Sequence, residues 1–332
     1  MLAFIRLAFF AATLVASLNL AAAPRFWTLT GVKFNEGGTF AAGYFSYDDA
    51  TQTISDWNVH VNDPFVVSFP AFTYVPGNSV ASTVQGPGAA GPTLSFSATM
   101  GVPGPYFGVR QLQITAVAAL DGSNAMVSIT TVVSREDFGE QDHARWVIAG
   151  SLALTPVPPP VVIVQVDEFY HPVLRHYFIT ASVAEKFALD TGFYPGWVRT
   201  GESFKAYAVG SRGGGSINPA CRYYSPPDPE FGGPGADSHF FSADAGECMT
   251  VFRKYASVTW YLESDNVFQI NLPDKATGAC PAGTVPVYRL WNQRVDSNHR
   301  YTTSAAIKAD MLAAGYVAEG YGADGVVMCA VQ

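Results

Sequence analysis

Between residues 26 and 154 of this chain, apolar positions alternate with polar ones at a period of two. Residues 111–117 (Gln-Leu-Gln-Ile-Thr-Ala-Val) and 127–133 (Val-Ser-Ile-Thr-Thr-Val-Val) carry the pattern most clearly, with Asp121-Gly122 between them. A strand sends successive side chains to opposite faces, so this alternation marks half-buried strands, and Asp-Gly marks a hairpin turn joining two of them. Residues 146–154 predict a closing strand, and Gly/Pro breaks at 75–78, 85–92 and 102–105 separate further short ones. No stretch of useful length has apolar residues at helical spacing. The expectation for 24–154 is an antiparallel β-sandwich or partial barrel.

Residues 155–161 contain Thr-Pro-Val-Pro-Pro-Pro. Consecutive prolines favour an extended, semi-rigid spacer, so this segment reads as a linker between two domains.

Beyond it, over 162–332, one succession of residues occurs three times, in copies at about 165–208, 219–270 and 284–332. The first runs Glu168-Phe169-Tyr170, His176-Tyr177-Phe178, a segment 182–189, and Trp197-Val198-Arg199. The second runs Arg222-Tyr223-Tyr224, His239-Phe240-Phe241, 245–255, and Trp260-Tyr261-Leu262-Glu263. The third runs Arg289-Leu290-Trp291, His299-Arg300-Tyr301, 304–314, and Tyr316-Val317-Ala318-Glu319. Histidines 63 and 60 residues apart give the period of a repeat. Each copy predicts strand, strand, short helix, strand. Ser182 and Ser304 are good N-cap residues, Ile307, Met311 and Leu312 share one helical face, and Gly315 stops that helix. One copy has too little apolar surface to fold alone, so three should share a core with pseudo-three-fold organisation. The fold class is therefore mainly β with α+β repeats.

A different pattern opens the chain. Arg6 precedes a run from Leu7 to Leu20 broken only by Thr13, Ser17 and Asn19, and Ala21-Ala22-Ala23 follows. A positive charge, a short apolar core and small residues make 1–23 a secretory signal peptide. The core of about 14 residues is shorter than the roughly 20 that a membrane-spanning helix needs. Pro24 would hinder cleavage directly after Ala23, which places the expected cut a few residues away. No second long apolar stretch exists, so no membrane span is expected after signal removal, and the protein should be secreted, periplasmic or at the cell surface.

Charged residues are only 14% of the chain and the net charge is −8, which argues against nucleic acid as a partner. Four cysteines, Cys221, Cys248, Cys280 and Cys329, predict two disulfides in an exported protein. Of three pairings, Cys221–Cys248 and Cys280–Cys329 are favoured because each lies within one copy. A zinc site is disfavoured, since no Cys-x-x-Cys occurs.

Two resemblances follow from these residues. Trp27-Thr28-Leu29 through Thr39, Gly43 through Asp48, and Ile54 through Asn58 resemble the N-terminal β-domain of secreted proteobacterial proteins of unknown function. Tyr288-Arg289-Leu290-Trp291-Asn292, His299-Arg300-Tyr301-Thr302-Thr303 and Cys280-Pro281-Ala282-Gly283 resemble a repeat family of unknown function at the C-termini of secreted bacterial proteins. The second resemblance covers 165–332. It implies extracellular placement, in some members beside catalytic domains, and binding of carbohydrate or cell-wall material.

Candidate chemistry is sparse. His176, His239 and His299 invite a metal reading, but a residue kept in every copy points to scaffold, and neither a metal nor another cofactor is expected. Arg222 with Glu263 and Arg289 with Glu319 predict ion pairs within the second and third copies, and Glu168 with Arg199 a reversed pair in the first. Glu136, Asp137, Glu140 and Asp142 read as a solvated acidic loop without calcium-ligand spacing. Nucleophile-elbow, zincin and phosphate-loop signatures are missing. Tyr170, Tyr224 and Trp291, aromatic in all copies, and the three histidines are the candidate ligand contacts, because exposed aromatic faces stack on sugar rings. The expected function is a non-enzymatic exported protein binding a glycan or cell-surface component. A secreted hydrolase and a structural surface protein are the alternatives.

Overall fold

The computed structural model describes residues 23–62, 70–87, 90–100, 108–138, 144–213, 217–227, 237–255 and 259–332. Residues 1–22, which hold nearly all of the expected signal peptide 1–23, lie outside them, as do Glu140, Asp142, and most of the Gly/Pro-rich stretch after Ser225. Among the described residues, strands occupy 51% and three helices 10%, so the fold is mainly β. No helix among the described residues is long and apolar enough to cross a membrane.

Ten antiparallel strands form the N-terminal sheet: β1 (Arg25–Phe34), β2 (Phe40–Asp48), β3 (Thr53–Val61), β4 (Phe72–Tyr74), β5 (Val80–Val84), β6 (Thr93–Met100), β7 (Gly108–Thr115), β8 (Met126–Ser128), β9 (Arg135–Phe138) and β10 (Ala144–Thr155). Their order is β4-β3-β2-β1-β10-β9-β7-β6-β5, with β8 on a second stretch of β10. The sheet curls into a half-barrel, bringing β3 against β5. Trp27, Phe45, Phe96, Leu112 and Leu152 are fully buried inside it. Gly43 is needed where β2 meets β3: its φ is +128°, and a Cβ there would lie 2.0 Å from the Asn58 carbonyl oxygen.

Two expectations are corrected here. Residues 127–133 do not form one strand paired with 111–117. β8 ends at Ser128, one bridge joins Ala116 to Ile129, and residues 131–133 turn outward. β7 pairs instead with β6 and β9. The Ser134 hydroxyl accepts the Thr115 N–H at 2.9 Å, ending the hairpin where β9 takes over.

Glu136 is no solvated loop residue. On β9, Arg135 and Asp137 point outward and pair at 2.8 Å, while Glu136 and Phe138 point inward. Glu136 accepts bonds from Arg110 (2.8 Å), Arg145 (2.7 Å) and the Tyr74 hydroxyl (2.8 Å). Glu136, Arg110 and Arg145 are all fully buried. Burial pushes the carboxyl up, but the two guanidiniums outweigh it and hold Glu136 below the usual carboxylate range.

The C-terminal part repeats one order of elements. Unit 1 is β11 (Ile163–His171), β12 (His176–Thr180), α1 (Val183–Asp190) and β13 (Val198–Tyr207). Unit 2 is β15 (Cys221–Ser225), β16 (Ser238–Ser242), α2 (Ala245–Tyr255) and β17 (Tyr261–Ser264). Unit 3 is β19 (Thr284–Trp291), β20 (His299–Thr302), α3 (Ala305–Ala313) and β21 (Val317–Glu319). Units 1 and 3 belong to one nine-stranded sheet with β14 (Ile217–Pro219), β18 (Gln269–Asn271) and β22 (Val326–Val331), while unit 2 is a three-stranded sheet of its own. Phe169, Ile179, Phe241, Val287, Tyr301 and Met328 fall in one buried cluster, so all three units share a core.

The local chemistry of each unit is the same. Ser182 caps α1 by accepting the Glu185 N–H, Asp244 caps α2 by accepting the Glu247 N–H, and Ser304 caps α3 by accepting the Ile307 N–H. Two residues earlier, the Thr180, Ser242 and Thr302 hydroxyls accept the N–H of those three cap residues at 3.0, 3.1 and 3.0 Å. Disulfides join Cys221 on β15 to Cys248 on α2, and Cys280 to Cys329 on β22.

The N- and C-terminal parts touch directly. Met249 of α2 is buried in the N-terminal core. Asn58 donates to Gln269 at 3.1 Å, Thr73 donates to Asp265 at 2.8 Å, and Arg212 pairs with Asp56 at 2.8 Å. At the end of the proline segment, the Pro160 carbonyl accepts the Arg212 N–H.

Candidate functional site

Strand register fixes which residues correspond. Tyr170 lies opposite Tyr177, Tyr224 opposite His239, and Trp291 opposite His299. The equivalent of His239 and His299 is therefore Tyr177, not His176. His176 matches Ser238 and Asn298 instead. This shift of one residue corrects the equivalence of His176, His239 and His299 expected from the sequence. His176, Ser238 and Asn298 are all buried where the second strands of the units approach one another. Asn298 donates to the Ser238 hydroxyl (2.9 Å) and accepts the Tyr177 N–H (2.7 Å). His176 Nδ1 lies 3.0 Å from the Asp237 carbonyl oxygen, and its Nε2 lies 3.3 Å from Asp296. These three side chains bond units to each other.

Around that axis, a charged side chain on the first strand of each unit reaches its neighbour. Arg222 binds Glu185 of α1 (2.9 Å), Glu263 (2.8 Å), and covers the Phe178 ring. Arg289 binds Glu247 of α2 (2.7 Å), Glu319 (2.9 Å), and covers the Phe240 ring. Each glutamate on the last strand also meets the histidine: His239–Glu263 and His299–Glu319 are both 3.2 Å. Burial pushes Glu263 and Glu319 up, but the histidine and arginine beside each outweigh it and hold both carboxyls below their usual range. Burial in turn pulls the His299 imidazole below its ordinary value.

The third contact has opposite polarity. Glu168 binds Arg300 of β20 through two bonds of 2.9 and 3.0 Å. Arg300 stands where Phe178 and Phe240 stand in the other units, and it covers the Tyr177 ring at 4.3 Å. The expected Glu168–Arg199 pair is absent: Arg199 binds Asp190 and Asp167, because its position on β13 faces α1 rather than β20.

At the junction of units 1 and 2 this frame borders a large cleft, of about 460 Å³. Its aromatic walls are Phe178, Tyr194, Trp197 and Tyr224, and the imidazoles of His171 and His239 lie among them. Tyr224 stacks on His239 at 4.8 Å, Phe178 meets His239 at 4.6 Å, and Trp197 meets Phe178 edge-on at 6.0 Å. Tyr194 is 51% exposed at the rim. Arg222, Glu185, Glu263 and Asp237 supply the charges.

Of the six ligand contacts expected from the sequence, Tyr224 and His239 line this cleft. His176 and His299 are buried. Tyr170 packs on Tyr177 of its own unit, Trp291 donates to the Ser297 hydroxyl of its own unit, and neither lines the cleft. The six do not converge on one site. Trp197, Tyr194, Phe178, Glu185 and Asp237 were not singled out beforehand; Glu185 carried a signal, three residues after the cap Ser182.

Two other cavities are less suited. One of about 40 Å³ between β4 and α2 is lined mainly by apolar groups such as Phe72, Met249 and Phe252. Another of about 430 Å³ beside Val161 has one aromatic, Phe26, and its Asp56 and Arg212 bind each other. No group of metal-ligating side chains occurs among the described residues. No family model matches the chain, and neither a curated protein nor a solved structure matches it.

Proposed function

We propose that this protein is exported and, without catalysing a reaction, holds a glycan in the cleft between units 1 and 2. One observation carries the proposal: four aromatic rings and four charged side chains converge on a single cleft of about 460 Å³. That volume falls within the range of about 300–1,000 Å³ common to small-molecule sites. Aromatic faces take the apolar faces of pyranose rings, and charged groups at the edge take hydroxyls. Two disulfides fit an oxidising, extracytoplasmic compartment, in keeping with the signal-like start. The three units are read as copies of one repeated module, in line with the family resemblance of 165–332. The Arg–Glu–His frame of units 2 and 3 is scaffold, and unit 1 adds Trp197 and Tyr194 as the recognition surface.

The hydrolase reading is weaker. A glycosidase needs a carboxyl kept protonated as its acid. Glu263 is driven the other way, and Glu185 has both oxygens on Arg222.

A glycan array and a cell-wall pull-down with the full chain test the proposal. Trp197→Ala, with unchanged thermal unfolding, should lose about tenfold or more in affinity, the scale of one aromatic platform. Absence of binding to every glycan and wall fraction removes the proposal, and release of reducing ends from a bound glycan replaces it with the hydrolase.

A further inference from the structure

We infer that the sugar held by this cleft carries a free, positively charged amino group; this rests on the glycan reading above. Three carboxylates, Glu185, Asp237 and Glu263, face one guanidinium, Arg222, leaving an excess of two negative charges before the two imidazoles are counted. Arg222 is fully engaged by Glu185 and Glu263, so no cation remains for an acidic sugar. Glu185 is engaged too, by Arg222 and by the Thr180 hydroxyl. Glu263 uses Oε2 for both Arg222 and His239, and Asp237 uses Oδ1 for the Tyr224 hydroxyl at 2.9 Å. Among the described residues, Glu263 Oε1 and Asp237 Oδ2 have no partner.

The junction of units 2 and 3 makes the difference plain. There Arg289 is matched by Glu247 and Glu319 alone, and the guanidinium is buried. Asp237 is the extra charge. It occupies the hairpin position held by Arg175 in unit 1 and Ser297 in unit 3, so neither other unit has a carboxylate there. Its φ is +42°, a left-handed conformation that costs an ordinary side chain energy and that Asp or Asn tolerates best. His176 holds the Asp237 carbonyl, fixing this backbone. Arg175, at the same hairpin position of unit 1, is left-handed too (φ +59°), so the turn is shared and what sets unit 2 apart is the carboxylate it places on the cleft wall.

The rings agree with the charge. Aromatic faces carry negative potential and attract a cation, most strongly when both are shielded from water; Arg222 already covers Phe178 and His239 stacks on Tyr224, which leaves Trp197 as the ring to meet the amino group. A neutral sugar would offer hydroxyls to the two unpaired carboxylate oxygens but leave the excess negative charge uncompensated, whereas an ammonium group satisfies both. Acetylating the amine would remove the charge on which selection depends.

Binding of the full chain to glucosamine oligosaccharides and to their N-acetylated counterparts, with a lysine-rich peptide alongside, tests this. The free-amine form should bind about tenfold or more tightly than the acetylated one, and added salt should narrow the gap. Asp237→Asn keeps the backbone preference and an acceptor for Tyr224, so it should erase the difference without altering thermal unfolding. Equal or better binding of the acetylated form overturns the inference and leaves the glycan reading standing. Binding of neither form, nor of any other glycan, removes both. Equal retention of the lysine-rich peptide overturns the assignment to a sugar.

Discussion

Glu168 on β11 and Arg300 on β20 close the circle of units with two bonds, 2.9 and 3.0 Å long, and with polarity opposite to the other two junctions. At those junctions an arginine on the first strand meets a glutamate at the third position of the preceding helix. At this one the helix offers Ile307 instead, and the cation comes from the second strand of unit 3.

Reversing only one partner should therefore be costly. Glu168→Arg would set two guanidiniums against each other beneath the surface, and breaking a buried pair costs about 3–5 kcal/mol. Glu168→Gln should be milder, because burial already raises the Glu168 carboxyl despite Arg300. The double variant Glu168→Arg with Arg300→Glu should recover much of the loss. Urea unfolding of the four proteins checks this, and a double variant no better than Glu168→Arg alone would contradict the pairing.

How far the sequence discloses this frame depends on the reach of each contact. Arg222 and Glu263, like Arg289 and Glu319, stand on neighbouring strands of one unit, so a residue pattern is enough to associate them. Glu185 and Glu247 belong to the preceding unit, and only closure of the three units brings them in. His176 stands six residues before its cap Ser182, whereas His239 and His299 stand five before Asp244 and Ser304, so the cap spacing marks the true equivalence that the similar histidine and aromatic residues conceal. The cleft was hidden for a similar reason: Trp197, Tyr224 and Asp237 come from separate strands and loops.

Glu136 shows the opposite failure. Four acidic residues within 136–142 looked solvated, yet strand alternation sends Glu136 inward with Phe138. Glu136→Ala leaves Arg110 and Arg145 facing each other without their carboxylate, and should cost about 3–5 kcal/mol. The pH sign follows from its lowered value: the stabilisation is complete above the ordinary carboxylate range and is lost as pH falls through the folded-state value. Acid titration followed by Trp fluorescence should show wild-type protein unfolding on acidification, with a shallower dependence in Glu136→Gln.

Reduction should weaken the C-terminal units. The bridges Cys221–Cys248 and Cys280–Cys329 join residues 27 and 49 apart. The chain-entropy model gives roughly 3.5 and 4 kcal/mol for loops of these lengths. Cys280→Ser with Cys329→Ser frees β22, which pairs with β19 and β18 in the sheet shared by units 1 and 3, so its melting point should fall at least as far as that of Cys221→Ser with Cys248→Ser. Calorimetry on the two double variants decides; a larger drop for the unit 2 bridge would mean that strain or residual structure, not loop length, governs the effect.

His60 gives the seam between the two parts a pH dependence of its own. It lies 3.3 Å from Asp265, whose other contact is the Thr73 hydroxyl at 2.8 Å, so β3, β4 and the loop after β17 meet at one point. Burial and the Arg110 charge pull the imidazole down, but Asp265, aided by Glu136, outweighs them and raises it above its ordinary value. A histidine raised on folding stabilises fully below its unfolded value, about 6.5, and loses that contribution as pH climbs through the folded one. The seam should therefore loosen from pH 6 towards pH 8 while each part keeps its own core. Hydrogen exchange of β3, β4 and 259–267, expressed as protection relative to the intrinsic rate at each pH, should show weaker protection at the higher pH, and His60→Gln should abolish the difference. Equal protection at both pH values would show that Asn58, Thr73 and Arg212 hold the seam unaided.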